Sequence, residues 1–234
     1  MPCLVPVHPA RTAVIGGSSL RRVPRTKVHD AALRTRLLEC ASATLSAGGL
    51  AALSLRSLAA EVGTSTTAVY ALFGGKSGLL EALHAEAFSR LGARLDAVLD
   101  QRRTVDDPVE GLVALGRAYR DSALANPHIY DVMFGESPVG RERWWAAAAP
   151  TVRPMARVVE RALAVGALRP GSEPATVSLA LWATVHGLVS LHLRGLRAVD
   201  DRAGNDSSAE EVFELALRTA VAGWLSASVV AGRN

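Results

Sequence analysis

The chain is short of cysteine, lysine and aromatic residues, and each shortage excludes something. Two cysteines in 234 residues, Cys3 and Cys40, cannot build a disulfide framework, so a reducing compartment is the direct reading. Aromatics make up 5% of the chain, so Leu, Val and Ala must fill the core. Lys27 and Lys76 are the only lysines among 26 basic side chains, a bias of coding composition as much as of function. Alternating β-branched runs are scarce, which argues against strands. There is no His/Cys cluster at metal-ligand spacing, no Gly-rich phosphate loop and no nucleophile constellation. The six histidines are scattered, and the acid pairs Asp106-Asp107 and Glu210-Glu211 suit helix starts better than acid–base chemistry. No metal or cofactor is expected. The N-terminus lacks a signal peptide's shape, with three prolines in its first nine residues and no apolar run of sufficient length. Residues 175–193 are uncharged at neutral pH and about long enough to span a membrane. Thr176, Ser178, Thr184, His186, Ser190 and His192 make them too polar for a lone span. The expectation is a helix buried in an interface, no membrane partner, and a cytoplasmic, nucleoid-associated protein.

What is present points to an all-α fold. Apolar residues form 49% of the chain, enough for a substantial core. The net charge of +4 is unevenly placed. Between residues 21 and 76, eight basic side chains face Asp30, Glu39 and Glu61, a surplus of five. A basic segment of this kind suits a polyanion.

Residues 1–25 show no periodicity and read as a disordered segment. They are either an irrelevant tail or a basic arm in which Arg21, Arg22, Arg25 and, just beyond, Lys27 touch phosphates or a minor groove. Leu33, Leu37, Ala41 and Leu45 recur every fourth residue and predict a helix over 27–47, ended by Gly48-Gly49. From Leu53 to Lys76 the chain reads as two short helices. Leu55, Leu58, Ala59 and Val62 form one face of the first, which Ser54 caps. Gly63 makes the turn. Ser65 caps the second, in which Val69, Leu72 and Phe73 share a face while Thr66, Thr67, Tyr70 and Ala71 look outward. This is the layout of a DNA-reading helix-turn-helix.

Leu55, Arg56, Leu58, Ala59, Val62, Gly63, Ser65, Val69, Tyr70, Phe73, Lys76, Leu79 and Leu80 together resemble the DNA-binding domain of TetR/AcrR-type bacterial transcriptional regulators. The match covers roughly residues 28–83. It implies that Ser54, Arg56, Ser65, Thr66, Thr67, Tyr70, Ala71 and Lys76 serve DNA binding. Tyr70 and Lys76 would anchor phosphates, helped by the free N–H groups at Gly75–Ser77. The outward face holds no Arg, Asn or Gln to pair bidentately with a base. Direct readout then rests on Thr66, Thr67, Ala71 and Arg56, with shape readout added. Gly78 stands where the family often has an acidic residue, which weakens that helix start.

A long helix over 77–101 is expected to join head to body. Asp106-Asp107-Pro108 opens another that runs to about Ala125, and Asn126-Pro127 breaks it. Met133-Phe134-Gly135 and Trp182-x-x-x-His186-Gly187 resemble the C-terminal domain of a TetR subgroup named for Trp, His and Gly. Residues 142–167 predict a helix kinked or split by Pro150 and Pro154. A further helix runs from Pro174 to about Arg194. Residues 200–208 read as a polar loop, and Ser208 with Glu211 as the capping box of a last helix reaching about Ala227. Leu179, Trp182, His186, Val189 and Leu193 form one apolar stripe, and Leu181, Val185, Leu188 and His192 a second. Two stripes predict one face for the core and one for a partner copy, in an intermolecular four-helix bundle.

The reading is an all-α chain with a disordered basic arm (1–25), a three-helix helix-turn-helix DNA-binding domain (26–75) and a helical-bundle ligand-binding and dimerisation domain (76–230). Trp182, His186, Val189, Leu193, Leu215 and Trp224 are assigned to the dimer interface or core. Candidate pocket walls are Tyr119, His128, Tyr130, Met133, Phe134, Trp144 and Trp182. The resemblance implies a homodimeric repressor that binds a roughly palindromic double-stranded operator and is released by a small-molecule effector. A helical ligand-binding module without specific DNA binding and an all-α enzyme are the other classes.

Overall fold

The computed structural model describes residues 25–101, 106–135, 140–195 and 208–232, without the side chains of 25–29, 230 and 232. Among these residues the chain is helical apart from one isolated bridge, Leu168 to Leu225. The N-terminal unit comprises α1 (Arg25–Ala52), α2 (Leu55–Val62) and α3 (Thr66–Phe73). Helix α4 (Lys76–Leu99) leads into α5 (Pro108–Ala125), α6 (Pro127–Phe134), α7 (Arg141–Ala164), α8 (Pro174–Leu193), α9 (Ala209–Ala222) and α10 (Ala227–Gly232).

The local chemistry anticipated for the helix ends is present. Ser54 accepts from the Ser57 N–H at 3.4 Å and Ser65 from the Ala68 N–H at 3.1 Å. Gly63 turns at φ 71°, ψ 40°, a left-handed conformation that glycine adopts without penalty. Asp107 caps α5 through the Val109 and Glu110 amides, with Pro108 at the first helical position. Ser208 and Glu211 form the reciprocal capping box. Helix α1 loses helical geometry at Gly49, φ 66°, where the double glycine predicts its end.

Two apolar clusters divide the molecule. Leu37, Leu38, Ala41 and Leu45 of α1 pack with Leu58, Val62, Val69 and Phe73 in the first. Helix α4 belongs to both, placing Leu79 and Leu83 there and Phe88, Leu91, Leu95 and Leu99 in the second. Any rotation of α4 therefore moves the N-terminal head against the body. Helix α6 touches α1 as well as α4 and α5, so head and body also meet through a second contact.

Three sequence expectations need correction. Of the two outcomes predicted for α7, a kink or a split, the split does not occur, because Pro150 and Pro154 both lie inside one continuous helix. Its dominant packing partner is α4, and that burial outweighs two lost ladder bonds. The last long helix ends at Ala222 rather than near Ala227. Its C-terminus is instead tied to the end of α7, where Arg169 N–H donates to the Trp224 carbonyl and Ser226 N–H to the Ala167 carbonyl, each at 2.9 Å. The two stripes of α8 also divide differently. Val177, Leu181, Val185 and Val189 are buried, with Trp182 and His186 turned toward the same core, while Leu179 and Leu191 lie outside. Helix α8 is long and apolar enough to cross a membrane, at mean hydropathy 1.4. One side of it nevertheless forms body core. The predicted loop over 200–208 lies, save Ser208, outside the described residues.

Candidate functional site

Helix α3 seats Val69 and Phe73 in the head core and turns Thr67, Tyr70 and Ala71 outward, with Thr66 half-buried. Tyr70 is 54% exposed. Its ring runs beside Gly75, so that a Cβ there would lie 3.6 Å from Tyr70 Cε1. Gly75 precedes α4 at φ 137° with no side-chain cap and no acid in the first turn. The first turn of α4 thus carries no acid or capping side chain that would compete with an anion. Lys76 begins this helix, and its ammonium donates to the Leu50 carbonyl at 3.5 Å. One long bond to a neutral carbonyl holds it weakly, and a phosphate would compete well. Arg56 is exposed on α2. Other parts of the basic surplus serve the head itself. Arg36 donates to the Val62 carbonyl at the end of α2, and the Arg34 guanidinium lies 5.5 Å from the Phe73 ring centroid. Arg21 and Arg22 lie outside the described residues. Arg25 and Lys27 sit in the first turn of α1 rather than in an unstructured arm.

Gly78 has a sharper role than a weak helix start. A Cβ at this position would fall 1.8 Å from the Phe73 carbonyl oxygen. Only glycine lets the end of α3 lie so close over the first turn of α4.

The body encloses a cavity of about 510 Å³ between α4, α5, α7 and α8, within the ~300–1,000 Å³ range of small-molecule sites. Phe88, Phe134, Trp144, Trp145 and Trp182 give it an aromatic wall, and among the described residues the charged side chains lining it are Glu160 and Glu173. The rings meet edge-on, with Phe88 and Trp144 centroids 5.5 Å apart and Trp144 and Trp145 5.0 Å apart. Trp144 Nε1–H donates to the Met133 carbonyl at 3.0 Å. Behind this wall, His186 Nδ1 lies 2.9 Å from both the Tyr119 and the Tyr130 hydroxyl, and Tyr130 reaches Ser190 Oγ at 2.9 Å. Burial lowers the His186 pKa and raises that of Tyr119, so the network is neutral. A smaller cavity of about 200 Å³ lies between α1, α4, α5 and α6.

Two family models match the chain, over both of these units. Residues 37–83 match that of bacterial regulatory proteins of the tetR family. Residues 112–226 match that of the tetracyclin repressor-like C-terminal domain. The chain belongs to the TetR family. Its α2 and α3 fall within the match to that family's N-terminal model. The HTH-type transcriptional regulator Rv1816 of Mycobacterium tuberculosis is 30% identical over 118 residues, half of each chain, as is Mb1846 of Mycobacterium bovis. This chain thus spans about half the length of the curated relatives it matches. A protein of unknown function from Rhodococcus sp. RHA1 has a similar structure, with TM-score 0.69 and 29% identity over 83% of this chain and 96% of that one. The TetR-family regulator PfmR of Thermus thermophilus shares the fold at TM-score 0.55 and 22% identity, over 82% and 99% of the two chains.

In this TetR-family chain the predicted pocket residues divide. Tyr119, Phe134, Trp144 and Trp182 line the body cavity. Tyr130 and Met133 line the smaller one, and Tyr119 belongs to both. His128 lines neither. Its ring packs on α1, where a Cβ at Gly49 would be 3.5 Å away, because the turn of α6 that carries it faces the head. Of the residues assigned to interface or core, Val189 is buried, and Trp182, His186, Leu193 and Trp224 are partly buried, with Trp182, Leu193 and Trp224 packed against the body core. Leu215 alone among them is largely exposed, at 70%. The sequence reading missed Phe88, Trp145, Met155, Glu160 and Leu179 as cavity residues. Phe88 and Leu179 belong to regular apolar patterns, and only the packing of four helices separates a core position from a cavity wall.

Proposed function

We propose that the chain is a dimeric repressor whose operator affinity falls when a small molecule fills the body cavity. The observation that carries this reading is the construction of α4. One end of it abuts the recognition helix through Gly78 and Phe73, and further along Phe88 and Leu95 wall the 510 Å³ cavity. A ligand that favours one setting of α4 favours one spacing of two recognition helices. That is differential affinity between two states. Dimerisation uses the outer sides of α8 and α9, where Leu179, Leu191 and Leu215 are exposed at 57%, 49% and 70%. Two-fold symmetry sets the recognition helices about one DNA turn apart on a palindromic site in the cytoplasm.

On DNA, Tyr70 and Lys76 hold phosphates, and Thr66, Thr67, Ala71 and Arg56 meet base edges. Selection of bound sequences from random DNA identifies the operator. On that operator, binding weakens steeply with salt. Tyr70→Ala and Lys76→Ala weaken it across all sequences, and Thr67→Val changes sequence preference instead. Unchanged affinity in the first two variants overturns the assignment. A folded dimer that selects no sequence at low salt would favour a ligand-binding module without specific DNA binding.

A further inference from the structure

We propose that the body cavity takes a neutral, apolar molecule of a few rings and discriminates against charged ones, anions most of all. Such a molecule is the effector of the repressor reading above, on which its regulatory role rests. An apolar cavity of ~150 Å³ holds benzene, and this one measures about 510 Å³, space for about two or three linked or fused rings. Phe88 and Trp144 stand at 83° to each other, and Phe134 and Trp144 at 61°. The wall therefore offers both ring edges and ring faces, the surfaces on which an aromatic guest packs. Met155 adds an unbranched side chain that adapts to the guest's shape.

The deciding observation is that the donors of this wall are already spent. The Thr151 hydroxyl donates to the Ala148 carbonyl at 2.7 Å, and that of Ser178 to the Pro174 carbonyl at 2.8 Å. The Trp144 N–H is held by the Met133 carbonyl at 3.0 Å. The Tyr119 hydroxyl lies 2.9 Å from His186 Nδ1 and accepts from the Trp182 indole. Trp145, the remaining indole, is 52% exposed, so water can satisfy it. A guest with a carbonyl or carboxylate must strip that group of water and finds no vacant donor within. A hydrocarbon leaves no polar group stranded and gains from leaving water.

Charge is excluded by the same kind of internal pairing. Helix α8 begins at the cavity edge with Pro174 and Ala175, and the amides of a helix start are the natural anion site. Glu173 already caps them, its carboxylate accepting from the Ala175 and Thr176 N–H groups at 3.0 and 2.6 Å and from the Thr176 hydroxyl at 2.8 Å. The other charged side chain among the described lining residues is Glu160, exposed on α7. An anion thus meets two carboxylates and no vacant amide. A cation meets Glu173 committed to three donors and Glu160 in water, where an ion pair returns little of the hydration lost. The order of affinity is hydrocarbon, then cation, then anion.

The test uses the full chain, labelled for NMR at the indole nitrogens of its four tryptophans. It is titrated with naphthalenes that differ in one substituent: 1-methylnaphthalene, 1-naphthamide, 1-naphthylmethylammonium and 1-naphthoate. 1-Methylnaphthalene shifts the Trp144, Trp145 and Trp182 indole signals saturably and leaves Trp224, which does not line the cavity, near its starting position. The amide and the ammonium bind at least about tenfold more weakly, and the carboxylate at least about a hundredfold. Ala156→Phe fills the cavity from α7 and abolishes binding, with circular dichroism to show that it folds. The indole shifts locate the guest in the parent whether or not that variant folds. Three results overturn the ligand class. These are no saturable shift with 1-methylnaphthalene, a charged naphthalene that binds as tightly, and an amide that binds as tightly. For regulation, 1-methylnaphthalene weakens operator binding. A neutral guest in the cavity with operator affinity unchanged overturns the repressor reading and leaves the ligand class standing. Release by a charged naphthalene alone does the reverse.

Discussion

Gly92 of α4 lies directly against Pro150 of α7. A Cβ at Gly92 would stand 2.7 Å from both the Pro150 carbonyl oxygen and its Cβ. The carbonyl of Pro150 is also the one that residue 154 would bond within the helix, and Pro154 has no N–H to give. A proline pair that looks like a helix breaker in sequence thus marks the closest approach between the two most extensively packed helices.

Gly92→Ala forces backbone apart and destabilises the fold by about 1–3 kcal/mol, read as a drop in the denaturation midpoint. Gly187→Ala is the contrasting case. It lies in α8 with nothing within 4 Å of the added atom, and better helix propensity stabilises each chain by up to about 1 kcal/mol. Equal effects of the two substitutions would refute the close-packing account.

The hydroxyls of Tyr119 and Tyr130 converge on one nitrogen, each at 2.9 Å. Nδ1 of a neutral histidine carries either one lone pair or one proton, so the two bonds compete. Either hydroxyl can take the nitrogen alone, so Tyr119→Phe and Tyr130→Phe each cost at most about 0.5–1.5 kcal/mol, and the double variant costs more than the sum. His186→Ala costs more than either single tyrosine change, since it takes a partner from both hydroxyls, leaving Tyr130 its bond to Ser190, and opens a void. Strict additivity in a double-mutant cycle would show that the hydroxyls act independently.

Stability falls with acidification for two separate reasons. Burial lowers the folded pKa of His84 and of His186 from the ordinary 6.5, opposed at His84 by a hydrogen bond with the Met133 backbone. Above 6.5 both folded and unfolded chains are neutral at these positions, and stability is complete. As pH falls through 6.5 the unfolded chain takes up protons that the folded chain resists, so stability declines until the folded pKa values are reached. Glu214 behaves differently. Its hydrogen bond to Arg117 holds it below 4.5, so its contribution persists to lower pH and fades only as pH falls from about 4.5 through the folded pKa. Denaturant titrations across pH should show the first decline near 6.5. A flat profile there would contradict the histidine assignment.

Leu215→Glu and Leu191→Glu place charge on exposed apolar positions that a second copy would cover. Each should shift the chain toward monomer in sedimentation, leave its helical circular dichroism intact and weaken operator binding. Dimers that persist in both variants would place the interface elsewhere.

Much of this molecule is legible one residue at a time. Ser54, Ser65, Asp107 and Ser208 cap helices, and Gly63 turns the chain, because these are local matches between a side chain and nearby backbone amides. The outward face of α3 follows from helical periodicity, and so does the burial of Val69 and Phe73. His128 shows where local reading fails. Its aromatic neighbours Tyr130 and Phe134 suggested a pocket, yet it packs against α1, a partner about 80 residues away in sequence.

Sequence alone therefore determined most of the helices, their caps, the basic head and which face of α3 points outward, since each depends on spacing within one or two turns. The tertiary structure decided which α8 stripe faces inward, that α7 passes both prolines unbroken, and that Gly78 is a point of contact. It also divided most of the predicted pocket residues between two cavities and sent His128 to neither. Those outcomes depend on close approach between distant helices, where a carbonyl oxygen or one missing Cβ sets the distance. Such steric matches leave no periodic trace in the chain.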